Sequence, residues 1–107
     1  MAWARALAEF ETAEAAVREC ERRTAGAPWA AQAAVEEEYG ERLDALYAAL
    51  RRLLRVPASD IGALAVKIEL AIDHEVATLT GGEACLAAIR RDALRLCSGQ
   101  ARRSAGA

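Results

Sequence analysis

From Trp29 to Arg55 the chain reads WAAQAAVEEEYGERLDALYAALRRLLR, and positions 29, 33, 36, 40, 43, 47, 50 and 54 follow one another at alternating spacings of four and three. That spacing is the seam of a packed helix. A second row, Val35, Tyr39, Leu46 and Leu53, lies beside the first and widens the apolar face, so this helix contacts at least two others. Pro28 suits a first helical position and Pro57 lies just past the end, which sets the bounds at about 28–55. At about 1.5 Å per residue the element spans roughly 40 Å. Gly40 costs on the order of 1 kcal/mol in a helix interior, which points to a close helix crossing or a slight kink there.

Upstream, Trp3, Leu7, Phe10, Ala13, Val17 and Cys20 share one face of a helix over about 3–23. The break Thr24-Ala25-Gly26-Ala27 is short, so the first two helices form an antiparallel hairpin. Downstream, Ser59 is placed to cap a third helix over about 60–78, with Asp60 favourable at its positive end. Ile61, Ala65, Ile68, Ile72, Val76 and Leu79 make its expected core row, flanked by Leu64 and Ala71. Thr80-Gly81-Gly82 ends it, and a fourth helix over about 83–97 turns Leu86, Ile89, Ala93 and Leu96 inward. Residues 98–107 lack large apolar side chains and read as a disordered tail. The expected fold is one all-α, four-helix domain over residues 1–97, a long hairpin crossed by two shorter helices.

Composition sharpens this picture. Apolar residues make up 54% of the 107, but about a quarter of the chain is alanine, which buries little surface per residue. A thin core argues for a homodimer or for another protein sharing the apolar face. The large aromatics Trp3, Phe10, Trp29, Tyr39 and Tyr47 are the candidate interface residues, since aromatics dominate interface energies. Net charge is −2, which speaks against a generally basic polyanion binder. Residues 1–49 hold ten acids and five bases, whereas 50–107 hold six and nine. Contact with nucleic acid or another polyanion would therefore use the second half. Three cysteines without metal-type spacing and no signal peptide suggest reduced thiols in the cytoplasm, and no apolar run is long enough for a membrane span.

Chemistry-bearing residues are sparse. His74 is the single histidine and has neither an HExxH partner nor a di-iron arrangement, so it is read as solvated or locally paired. Lys67 is expected to reach from an apolar helix to an acid on a neighbour, and Asp92 to cap or pair across helices, with Lys67 a candidate partner. Glu36, Glu37 and Glu38 point in three directions and form a solvated face. The cysteines read as small core fillers, with Cys97 at a helix end. Gly81-Gly82 lacks the lysine and hydroxyl of a phosphate loop. Neither a catalytic set, a metal site nor a cofactor is expected. The runner-up is a DNA-binding regulator or antitoxin: Val76-Ala77-x-x-x-Gly81 before a basic helix has helix-turn-helix spacing, and Arg90, Arg91 and Arg95 would meet phosphates, with Arg102 and Arg103 beyond. Gly82 and Arg90 occupy places that motif gives to apolar residues.

The stretch PASDIGALAVKIELAIDHE from Pro57, followed by LAAIRRDALRL from Leu86, resembles a family of small, Ala-rich, all-helical hypothetical proteins of high-GC bacteria. The shared features are a Pro-Ala-x-Asp turn, an apolar helix with one lysine, here Lys67, and a final helix with an aspartate before leucine, here Asp92 and Leu96. The resemblance covers about 40 residues. It implies a helical fold and an accessory or mobile-element gene setting, and leaves the activity open. The reading that results is a non-catalytic protein–protein interaction or regulatory protein that self-associates through the hairpin.

Overall fold

The computed structural model describes the backbone of residues 2–106 and the side chains of residues 2–99. Among these residues there are four α-helices and no strand: α1 (Ala2–Ala25), α2 (Gln32–Arg55), α3 (Ile61–Asp73) and α4 (Gly82–Gly106). Single 3-10 turns at Trp29–Ala31 and Val76–Thr78 lie in the connections. The first two helices form the expected hairpin. The core gathers Ala6, Phe10 and Val17 of α1, Leu46 to Leu54 of α2, Val76 of the α3–α4 connection and Cys85 of α4.

The buried residues of α2 all fall between Leu46 and Leu54, so the third and fourth helices support only that half. The distal half packs against α1 alone, around Val17 and Cys20, and the molecule measures 67 × 23 × 18 Å. Side-chain ties stitch this two-helix arm. Arg23 donates to both carboxylate oxygens of Glu38, at 2.8 and 3.2 Å, and the Tyr39 hydroxyl donates to Glu21 at 3.2 Å. The Arg23 hydrogen bond holds the Glu38 carboxyl below the ordinary carboxylate range.

Several local expectations are corrected. Trp29 was placed on the α2 seam, yet Pro28 is extended and Trp29 sits in the 3-10 turn at the arm's tip, 86% exposed. Glu36 is likewise exposed. Gly40 marks no close crossing, because nothing lies within 4 Å of where its Cβ would be. The cap of α3 is Asp60 rather than Ser59: the Asp60 carboxylate accepts from the Ala63 N–H at 2.8 Å. On α4 the buried residues are Cys85, Ala88 and Asp92; Ile89 packs against the core as expected, Ala93 and Leu96 are half-buried, and Leu86 is exposed. The segment expected to be a disordered tail, 98–107, is helical in backbone through Gly106, and its side chains from residue 100 lie outside the described residues. Cys97 is therefore within a helix rather than at its end.

The largest correction concerns α3. It ends at Asp73, where His74 and Glu75 close the last turn onto Leu70 and Ile72 and Glu75 takes a left-handed φ of 49°. Had the helix continued to 78, Val76 would point the same way as Ile72, one turn earlier. The Ile72 direction is solvent. Breaking the helix at Glu75 turns Val76 into the core, where it is 1% exposed. Gly82 then passes so close to this turn that a Cβ would lie 2.0 Å from the Val76 carbonyl oxygen, and Gly81 takes a φ of 79°. Both glycines are required by the connection.

Candidate functional site

The face of α3 turned inward carries Ala63 and Lys67, and Lys67 is the largest fully buried side chain among the described residues. Its ammonium donates to the Leu54 carbonyl at 3.0 Å, to the Val56 carbonyl, and to Asp92 Oδ2 at 2.5 Å. Leu54 and Val56 end α2, where carbonyls lack intrahelical partners. The ammonium thus caps α2, at the negative end of its macrodipole. Asp92 in turn accepts from Arg95 at 3.0 Å, and the same guanidinium nitrogen donates to the Ala58 carbonyl at 2.6 Å, fixing the α2–α3 connection. The Trp3 ring lies 5.8 Å from the ammonium, at cation–π distance.

Lys67 therefore joins all four helices through one charged group. A lysine ammonium has three N–H donors, and all three are used. A general base or nucleophile needs an amine with room for a reacting atom, and this one has none. The expected pairing with Asp92 is present, but as a buried network instead of a lysine reaching out to a surface acid. His74 is half-buried and has no ion pair with an acid among the described residues: it packs in T-shaped contact with Phe10 and Tyr47, at centroid distances of 5.9 and 6.3 Å with both interplanar angles 90°. Among the described residues no group of three or more His, Cys, Asp or Glu is placed to hold a metal ion, and no helix is long and apolar enough to cross a membrane. Cys20 and Cys85 are buried core fillers, and burial pushes the Cys85 thiol up.

The five candidate interface aromatics are not brought to one surface. Phe10 is core; Trp3 and Tyr47 are half-buried against Lys67 and His74; Tyr39 is half-buried on the arm; only Trp29 stands free. Arg90 and Arg91 are exposed, whereas Arg95 is committed to Asp92 and Ala58. The α3–α4 connection is longer than a helix-turn-helix turn and contains its own 3-10 turn.

What the structure does expose is the first four residues of the row that the sequence places in the core; Val76 is in the core and Leu79 packs against it. Ile61 is 60% exposed, Ile68 42% and Ile72 70%, and Ala65 is exposed between them. Their 4-3-4 spacing is that of a heptad seam, and among the described residues no helix covers it. A second feature lay outside the sequence reading: Arg51, Arg52 and Arg55 line a cleft of about 320 Å³ with Gly81, Ala84 and Cys85.

The chain matches no protein-family model, and no curated protein or solved structure is significantly similar to it.

Proposed function

We propose that this is a non-catalytic, helix-presenting interaction protein that self-associates through the outer face of α3. The observation that carries the reading is the exposed seam of Ile61, Ala65, Ile68 and Ile72. A helix that is apolar nearly all round is normally covered on all sides. Here one side is left open, and the polar residues Glu69 and Asp73 flank it along a single edge. This moves the self-association expected at the hairpin onto a different element. The accessory gene setting, which the sequence resemblance implies, is part of the same proposal.

A second copy is the occupant that the spacing favours. The intervals 4-3-4 read the same in both directions, so an antiparallel copy meets the seam in register, Ile61 against Ile72 and Ala65 against Ile68. The small residue faces a large one, as interdigitating layers require. Such an arrangement is isologous and closes as a dimer. Covering an exposed isoleucine is worth roughly 1–2 kcal/mol, and six are covered, which after the entropy of association corresponds to dissociation constants of about micromolar to millimolar.

Sedimentation equilibrium over roughly 10–500 μM is the test. The expected result is a monomer–dimer equilibrium that Ile68→Glu and Ile72→Glu each shift to monomer with unchanged circular dichroism. A monomer at every concentration, or a dimer indifferent to both substitutions, overturns the reading.

A further inference from the structure

The cleft beside the C-terminal turns of α2 has charge without a counter-charge. Arg51 and Arg55 are one helical turn apart on the same side of α2, and Arg52 lies next to them. Arg52 is 3.8 Å from Glu9, while Arg51 and Arg55 have no carboxylate within 4.0 Å among the described residues. The opposite wall is the start of α4, Gly81, Ala84 and Cys85, and the lining includes no acid. The aliphatic stem of Arg51 lies 3.5 Å from the position of a Gly81 Cβ, so Arg51 is laid along this wall and is half-buried.

The ordinary account of such arginines is that they offset the helix end. Magnitude decides against that account as a full explanation. A helix C-terminus carries roughly half a negative charge, against the two guanidiniums, Arg51 and Arg55, that no carboxylate pairs among the described residues, and the start of α4, with Glu83 in its first turn, lines the same cleft. The Cys85 thiol is kept neutral by burial and contributes no anion.

We propose that the cleft formed by Arg51, Arg55 and the first turn of α4 binds a phosphate group. Guanidinium forks match phosphate oxygens two at a time, and first-turn N–H groups are natural partners for a third oxygen. A volume of about 320 Å³ admits inorganic phosphate, pyrophosphate or the diphosphate end of a nucleotide. The shared chemistry is the terminal phosphate.

The experiment is calorimetric titration of the full chain with inorganic phosphate, pyrophosphate and adenosine diphosphate, at constant ionic strength set with chloride. Binding of at least one is expected, one per chain, weakened tenfold or more in the Arg51→Gln, Arg55→Gln double variant and untouched by Arg90→Gln, Arg91→Gln. The Arg51→Lys, Arg55→Lys variant keeps the charge and loses the fork, so it should weaken binding severalfold. If phosphate alone binds as well as the nucleotide, the source is the free anion; if only the nucleotide binds, the base or ribose contributes. No binding of any of the three, or equal affinity in the glutamine variant, overturns the proposal. Retained circular dichroism and melting temperature in each variant exclude misfolding as the cause of lost binding.

Discussion

Lys67 supplies three hydrogen bonds to acceptors that would otherwise be two bare carbonyls and a buried carboxylate. Removing Lys67 leaves the buried Asp92 carboxylate with Arg95 as its remaining charged partner, so the loss falls toward the lower end of the range for breaking a buried pair, about 3 kcal/mol. Lys67→Met is therefore expected to lower stability by that amount, measured by urea denaturation. Adding Asp92→Asn to it should recover part of the loss, because the stranded carboxylate becomes neutral. If the two substitutions simply add, the network is not coupled as the distances imply. His74 shows a different solution at the same scale: ring edges of Phe10 and Tyr47 replace the acidic partner its DHE context suggests.

At the scale of elements, the hairpin was legible and the orientation of α3 was not. Seam spacing, Pro28, Pro57 and the short loop jointly locate α1 and α2 to within a few residues. In α3 the same spacing picks out an apolar row but carries no information about which side faces the chain's own core. The isoleucine row is the more hydrophobic, yet the fold turns Lys67 inward because only that side offers an acid and two helix-end carbonyls. The break at Glu75 was likewise invisible, since no glycine or proline marks it. The glycines give a contrasting pair. Gly82→Ala would drive a Cβ into the Val76 carbonyl and should cost several kcal/mol by forcing the connection open. Gly40→Ala meets nothing and should add roughly 0.5–1 kcal/mol of stability by its helix preference. Thermal unfolding of the two variants checks both signs.

Across the whole molecule, the radius of gyration of 17.6 Å exceeds the roughly 13 Å of a compact chain of this length. The excess comes from the two-helix arm, which has no third element behind it, and from the length of α4. Amide exchange should divide accordingly. Protection is expected to be highest from Leu46 to Leu54, where four elements meet, and lower by a factor of ten or more between Ala33 and Tyr39. Equal protection along α2 would mean that the arm is covered by something the single chain does not show. The candidate site followed the same division: its residues were all readable as types, but the exposed seam and the arginine cleft depend on which faces the packing leaves open.

Lys67 is also the sole lysine of these 107 residues, and it is wholly enclosed. In its folded state this stretch therefore presents no ε-amino group to any acylating reagent or to an enzyme that attaches acetyl groups or small protein tags to lysine. Conjugation at that amine can proceed only through molecules that have opened. Its rate then counts unfolding events, so the fold carries its own chemical clock.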